Sequence, residues 1–181
     1  PSGAWKYFVS TGVVTGGDYT DIGSGTTCRP YPFPACAHHV EPTAEYPECP
    51  DDFKTPTCTS SCSESSYGTK YANDKAFAKS SYSVKGETNI MTEIMTKGTV
   101  SVALSVFEDF MTYSSGVYQH TTGKYLGGHA IKMVGWGVDN GVKYWTCINS
   151  WNPSWGEGGA FRILRGSDEC CIESDVVAGD V

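Results

Sequence analysis

The stretch that decides the fold is GGHAIKMVGWGVDNGVKYWTCINSWNPSWGEGGAFRILRG, residues 127–166. Its apolar and β-branched residues predict strands at 131–138, 142–149 and 160–164. Asp139-Asn140-Gly141 predicts the turn between the first two strands, because a short Asn-Gly turn joins antiparallel neighbours. The stretch therefore predicts an antiparallel β-sheet.

Two polar side chains in this predicted sheet have the chemistry of an acid–base site. His129 is flanked by Gly128 and Ala130, which leave room for a substrate backbone to approach. Asn149 ends the second strand, and its amide oxygen can accept the second imidazole N–H, which fixes the ring tautomer. Trp151 can shield that hydrogen bond from water. An oriented histidine of this kind is the base half of a site whose nucleophile is a cysteine thiolate.

Other segments show clear periodicity. Residues 1–12 predict a short helix that ends near a glycine. Residues 88–97 predict a second helix that stops at Gly98, and we expect its inward face to consist of Ile90, Met91, Ile94 and Met95. Residues 100–106 alternate bulky and small side chains, which predicts a strand whose small-residue face leaves room for a ligand.

Composition and charge exclude several classes of partner. The 181 residues carry a formal net charge of −7, which argues against nucleic acid or an anionic membrane as a partner. No run is as long and apolar as a transmembrane helix. The 21 glycines, 9 prolines and 11 tyrosines indicate a globular, loop-rich and β-leaning chain.

Eight cysteines indicate disulfide bonds and an oxidising compartment. Five of them lie in residues 28–62, a stretch with little apolar periodicity that also contains seven prolines. A zinc site needs short paired spacings such as Cys-x2-Cys, and the spacings in this stretch are longer. The sequence by itself leaves the pairing open. The cysteines are Cys28, Cys36, Cys49, Cys58, Cys62, Cys147, Cys170 and Cys171.

Residues 127–166 and the cysteine-rich segment before them resemble the papain-like cysteine proteases, in particular the cathepsin B-like group. The resemblance covers essentially the whole chain and implies an α+β, two-lobe fold. It implies that residues 1–181 are one partial peptidase domain, with part of the helical lobe and an antiparallel, β-barrel-like lobe, the latter mainly from about residue 99 to 181. By resemblance, His129 is the catalytic base, Asn149 orients it and Trp151 covers the pair.

The nucleophile of such an enzyme is missing from these residues. The Cys-Gly-Ser-Cys-Trp type of segment and the upstream oxyanion Gln are both absent. We therefore expect a missing N-terminal segment of the same protein to be a partner, and the 181 residues alone to be inactive. Cys147 shares a strand face with Asn149, but its apolar surroundings favour a core position. The rival interpretation is a catalytically inactive relative that binds peptides or acts as a decoy.

Residues 28–62 resemble the occluding loop of cathepsin B-like enzymes. The resemblance implies that His38 and His39 bind the C-terminal carboxylate of a peptide, so that the enzyme is a dipeptidyl carboxypeptidase as well as an endopeptidase. Without the resemblance, the simpler interpretations are two loop histidines that face solvent or a metal site that lacks other ligands. Tyr46 and Ser154 stand where the family has a loop-anchoring Arg and its Asp partner. The resemblance implies disulfide bonds between Cys28 and Cys62 and between Cys36 and Cys49. In this pairing Cys58 has no partner within residues 28–62.

The resemblance also implies a pocket for the second residue before the cleaved bond. Pro1, Ala103 and Ala130 would line it, Gly128 would keep the approach open, and Asp175 would sit at its end. A carboxylate there would pair with Arg, and the apolar walls would accept Phe. A solvated surface acid is the simpler interpretation of Asp175.

Partners and location follow from the same resemblance. No metal or organic cofactor is implied. The expected partners are peptide and protein substrates and protein or propeptide inhibitors, in a lysosomal or secreted location. One further departure lies near the C-terminus, where Cys171 stands in place of a family glycine.

Overall fold

The computed structural model describes all of residues 1–181 and is organised around one seven-stranded sheet. A separate parallel pair joins β1 (Gly16–Gly17) and β2 (Arg29–Pro30). The seven strands are β3 (Ser80–Ser83), β4 (Val100–Phe107), β5 (Val117–Tyr118), β6 (Tyr125–Asp139), β7 (Val142–Ile148), β8 (Ala160–Leu164) and β9 (Val176–Asp180). They lie in the order β3-β9-β4-β6-β7-β8-β5, and all neighbours are antiparallel except β5 and β8.

The helices are few and short. They are α1 (Ser2–Ser10), α2 (Glu87–Thr96) and α3 (Glu108–Met111), with 3-10 turns at Tyr19–Asp21, Tyr71–Asn73 and Glu169–Cys171. None of them has the length and apolar character needed to cross a membrane. The α+β class with a large sheet confirms the predicted fold class.

The predicted strands of residues 127–166 are present, but β6 is longer than expected. It begins at Tyr125 because its glycine-rich first half pairs with β4, with Gly127 opposite Val106 and Gly128 opposite Ser105. Glycine weakens a strand taken alone. Pairing along β4 overrides that local preference, so His129 lies within a strand.

The core lies against one face of β4. Val100, Val102, Leu104 and Val106 are buried, and the residues between them are partly exposed, as their alternation predicts. In α2, Ile90 is fully buried, but Met95 is 71% exposed, so the expectation that Met95 faces inward is wrong. Five residues on, a helix has turned by about 140° from the direction of Ile90, which carries Met95 away from the core.

Disulfides order the segment between β2 and β3. The bonds are Cys28–Cys62 and Cys36–Cys49, the two pairings that the resemblance implies. The Arg29 side chain adds hydrogen bonds to the carbonyl oxygen of Ser61 at 3.0 Å and 2.8 Å. Closing loops in this way restricts the unfolded chain, which compensates for the small amount of regular structure in the segment.

Candidate active site

The sheet brings His129 and Asn149 together. His129 lies on β6 opposite Leu104 of β4, and Asn149 follows the last residue of β7. β6 and β7 are paired up to Lys132 and Ile148, so Asn149 is one residue beyond that pair. The Nε2 atom of His129 is 2.8 Å from the Oδ1 atom of Asn149. The contact that the sequence predicts is therefore formed.

A second hydrogen bond fixes the orientation of this amide. The Ser150 backbone N–H donates to Asn149 Oδ1 at 2.8 Å, so the atom facing His129 is the oxygen. An oxygen can only accept, and His129 therefore carries its hydrogen on Nε2. The Nδ1 atom is left to take up or release a proton. The Nδ2 atom of Asn149 is buried and has no partner.

Trp151 packs against this pair from an aromatic cluster. Its ring is stacked with His129, with 5.2 Å between centroids and 27° between planes. Trp151 in turn contacts Trp155 at 4.9 Å and the fully buried Phe110 at 5.4 Å. Because the cluster is rooted in the core, the indole is held in place beside the imidazole.

The cysteine-rich loop brings two more imidazoles to the same indole. The rings of His38 and His39 lie 4.0 Å apart, and they are 5.7 Å and 4.4 Å from Trp151. A cavity of about 790 Å³ is lined by both His38 and His129. The histidine pair of the loop therefore lies next to the His129 site, although the two are about ninety residues apart in sequence.

The electrostatics of the cluster disfavour charge on the loop histidines. Burial lowers the pKa of His38, and the neighbouring charge of His129 lowers it further. The pKa of His39 is also lowered, first by burial and then by His38 and His129. Three imidazoles that repel one another when protonated form a site that an anion would stabilise.

Asn152 anchors the loop, and the sequence reasoning missed it. This buried side chain donates from Nδ2 to the carbonyl oxygen of Cys36 at 3.3 Å. Its Oδ1 atom accepts the backbone N–H of Ser154 at 2.8 Å. An asparagine that bonds the N–H two residues ahead forms an Asx turn, and Asn152-Pro153-Ser154 is a sequence that favours one. That turn is the signal that could have identified it.

Another cavity, of about 700 Å³, opens beside Asn149, and Pro1 and Ala130 are among its lining residues. Ala103 and Asp175 are not among them. Ala103 pairs with Ala130 across β4 and β6, and its N–H donates to the carbonyl oxygen of Asp175 at 3.2 Å. These residues therefore lie on adjoining backbone segments, and the Asp175 side chain is exposed.

No cysteine of the chain is positioned as a nucleophile for His129. Cys147 is fully buried in the core, and burial raises the pKa of its thiol far above the usual value, which disfavours the thiolate. The remaining free cysteines are Cys58, Cys170 and Cys171. None of the four lines either cavity.

Comparison with known proteins identifies the family. Residues 1–179 match the profile of the papain family cysteine proteases. The chain belongs to this family. Among its papain-family relatives, "Cathepsin B-like cysteine proteinase 6" of Caenorhabditis elegans is 50% identical over 99% of this chain and 47% of the relative. "Cathepsin B-like cysteine proteinase" of Schistosoma japonicum is 49% identical over 99% of this chain and 51% of the relative.

Solved papain-family structures agree with these matches. The "proCathepsin B S9 from Trypanosoma congolense" superposes with a TM-score of 0.78 at 34% identity, over 99% of this chain and 52% of that structure. The chain spans about half the length of the curated relatives it matches. Within the papain family, the chain is thus similar to cathepsin B-like members over about half of their length.

Within the papain-family fold, the described site has a defined chemical capacity. Asn149 holds one imidazole N–H of His129, and the opposite nitrogen can exchange a proton with a substrate or a nucleophile. No three His, Cys, Asp or Glu side chains of the chain are arranged to hold a metal ion. The hydrogen-bonded pair of His129 and Asn149 is suited to proton transfer.

Proposed function

We propose that the protein containing this chain is a cathepsin B-like cysteine peptidase that hydrolyses peptide bonds, with His129 as its general base and acid. The observation that carries the proposal is the 2.8 Å hydrogen bond from His129 Nε2–H to Asn149 Oδ1, which leaves Nδ1 for proton transfer. The cysteine nucleophile and the oxyanion Gln belong to a part of the protein outside residues 1–181. These residues alone are inactive.

The proton passes through His129 in two directions. Nδ1 first removes the proton of the nucleophilic thiol, and Asn149 stabilises the imidazolium through Nε2–H. The same nitrogen then gives the proton to the amine that leaves the substrate. After water has been activated in the same way, the acyl-enzyme is hydrolysed. Trp151 limits the access of bulk water to the hydrogen bond.

The loop histidines give the peptidase its second activity. His38 and His39 bind the C-terminal carboxylate of a peptide near His129, so that dipeptides are released from the C-terminal end. Because burial and the neighbouring imidazoles lower the pKa of both residues, their charged forms, and with them the binding of the carboxylate, are favoured by acidic pH. Internal cleavage continues whenever the loop is displaced.

The pocket next to Asn149 selects the second residue before the cleaved bond. Pro1 and Ala130 provide apolar walls, Ala103 lies on the neighbouring strand opposite Ala130, and Gly128 leaves the backbone accessible. Asp175 supplies the carboxylate that pairs with Arg. Asp is one methylene shorter than Glu, so the pairing with Arg is weaker than a longer acid would give.

Partners and location are part of the same proposal. The substrates are peptides and proteins, and the inhibitors are proteins or the enzyme's own propeptide. The disulfides Cys28–Cys62 and Cys36–Cys49 support a lysosomal or secreted location, where the environment is oxidising.

The proposal is tested on the whole protein with a fluorogenic peptide. His129→Ala should reduce kcat by about 1000-fold or more, since the base is removed. Lys124→Ala, an exposed position just before the same strand, is the control and should leave kcat unchanged. A thiol-alkylating reagent should abolish the activity of the unmodified protein.

Two results would count against the proposal. If His129→Ala kept full activity, the base would be elsewhere. If the correctly folded whole protein bound peptides without cleaving them, it would be the inactive, peptide-binding relative.

A further inference from the structure

Cys170 and Cys171 are adjacent free thiols outside the candidate active site. They end the 3-10 turn that precedes β9, where Cys171 is exposed and Cys170 is partly buried against the core. The proposed peptidase mechanism uses neither of them. The two thiols are therefore reactive groups to which the proposed function assigns no role.

The backbone is left-handed at both cysteines. The φ angle is 50° at Cys170 and 62° at Cys171, values that favour glycine and are unfavourable for other residues. The Cys171 N–H donates to the Asp168 carbonyl oxygen at 2.9 Å, and the Ser174 N–H donates to the Cys171 carbonyl oxygen at 3.1 Å. These bonds hold the second thiol at a position that glycine would fill without strain.

The two side chains have different surroundings. Cys170 packs against the core and its thiol donates to the Glu169 carboxylate at 3.5 Å, while Cys171 is exposed. Burial, the Glu169 carboxylate and, to a smaller extent, Asp109 and Cys171 raise the pKa of the Cys170 thiol to about 12. The two thiols belong to consecutive residues, whose Cα atoms are about 3.8 Å apart.

A direct bond between the two sulfurs is disfavoured. Adjacent Cα atoms are about 3.8 Å apart, and unstrained disulfides span about 4.4 to 6.8 Å. The raised pKa also keeps Cys170 protonated, and a thiol is a poor attacker in disulfide exchange. The pair therefore persists as a dithiol.

This dithiol is poorly suited to bind a metal ion. Structural metal sites with thiolate ligands use four protein groups. No three His, Cys, Asp or Glu side chains are arranged to hold a metal ion, so the two thiols lack the additional ligands. A suitable ligand has a central atom that bonds to both sulfurs and already carries its one remaining substituent.

We propose that Cys170 and Cys171 form a binding site for monosubstituted trivalent arsenicals. An organoarsenic oxide, R–As=O, forms one As–S bond to each thiol, while its As=O bond breaks. The two thiol protons leave with the oxygen as water. Arsenic stays trivalent and the sulfurs keep their oxidation state, so no oxidant or reductant is needed. The arsenic atom lengthens the bridge that a direct disulfide would make too short.

Phenylarsine oxide tests the proposal on the whole protein in excess 2-mercaptoethanol. After the first As–S bond has formed, the second thiol of the same chain is present at a high effective concentration. A free monothiol such as 2-mercaptoethanol therefore competes poorly for the arsenic. One phenylarsenic group per chain should be retained, map to the peptide that contains both cysteines, and be released by 2,3-dimercaptopropanol. Mass spectrometry measures it, so the result is independent of peptidase activity.

The control variants separate the pair from a single thiol. Cys171→Gly, suited to the left-handed backbone, should weaken retention by about 100-fold, and Cys171→Ser should do the same while keeping the side-chain size. Cys58→Ser removes an exposed single thiol and should retain the arsenical. Absence of uptake by the unmodified protein, undiminished retention in both Cys171 variants, or loss in Cys58→Ser would each overturn the proposal.

Discussion

Asn152 joins the two halves of the site, because its side chain donates to the carbonyl oxygen of Cys36, 116 positions earlier in the chain. Trp151, the residue before it, contacts His129 and His39. The loop and the sheet that carries His129 therefore meet at two consecutive residues. Displacing the loop from one of them changes the surroundings of the other.

Asn149→Ala should lower kcat/KM of the whole enzyme by about 100-fold. The imidazole would lose the acceptor at 2.8 Å that fixes its tautomer, and small misplacements of a catalytic group have effects of this size. Steady-state hydrolysis of a fluorogenic peptide measures the change. Asn73→Ala, at an exposed position, is the matched control and should have no effect. An unaltered kcat/KM in Asn149→Ala would remove this residue from the mechanism.

Replacing His38 and His39 together by Ala should suppress release of dipeptides from peptide C-termini by about 10-fold or more, because the cations that bind the carboxylate are lost. Cleavage of internally placed bonds should be spared. The ratio of the two activities is measured with a free-acid peptide and its C-terminally amidated counterpart. Equal loss of both activities would indicate a structural role for the pair.

Acidification should destabilise the loop when no ligand is bound. An unfolded histidine titrates near 6.5, and the folded chain lowers the pKa of His38 and His39 below that value. The unfolded state thus binds more protons as pH falls through 6.5, so stability decreases there, and the loss is complete below the folded pKa values. Limited proteolysis of residues 28–62 between about pH 7.5 and pH 5 measures this effect.

The double Ala variant at His38 and His39 is the control for the pH series, and its proteolysis should depend less on pH. A peptide with a free C-terminal carboxylate should restore protection at acidic pH. If the unmodified loop became more resistant on acidification without ligand, the sign of the linkage would be wrong.

Asp175→Ala should lower kcat/KM selectively for substrates with Arg at the second position before the cleaved bond. The side chain is exposed, so the expected loss is about 2- to 5-fold, in line with a solvent-screened charge pair. Substrates with Phe at that position should be cleaved as before. Asp168→Ala is not a suitable control, since Asp168 holds the adjoining turn; Asp51→Ala, exposed in the loop segment, is used instead. An unchanged Arg-to-Phe ratio would exclude Asp175 from the pocket.

Local pattern was enough to predict the strands that carry their own signal. The buried and exposed residues of β4 alternate as their sizes do, and β8 has the predicted bounds Ala160–Leu164. The hydrogen bond of His129 and Asn149 also followed from residue chemistry and spacing. The disulfide pairing did not, and it came only from the resemblance, because spacing is compatible with several pairings.

Contacts between distant segments account for the rest. The first half of β6 is a strand because β4 pairs with it, which glycine-rich sequence does not indicate. The anchor from Asn152 to Cys36 depends on how the loop folds over the sheet. Left-handed angles at Cys170 and Cys171 run against residue preference, so only the folded turn reveals them.

The shared position of Trp151 links the fluorescence of its indole to both parts of the site. His129 is stacked on this indole and His39 meets it edge to face at 4.4 Å. A protonated imidazole beside an excited indole quenches its fluorescence, so protonation of His129 or His39 should change the contribution of Trp151 to the emission of the five tryptophans. A ligand that displaces the loop should change the same contribution.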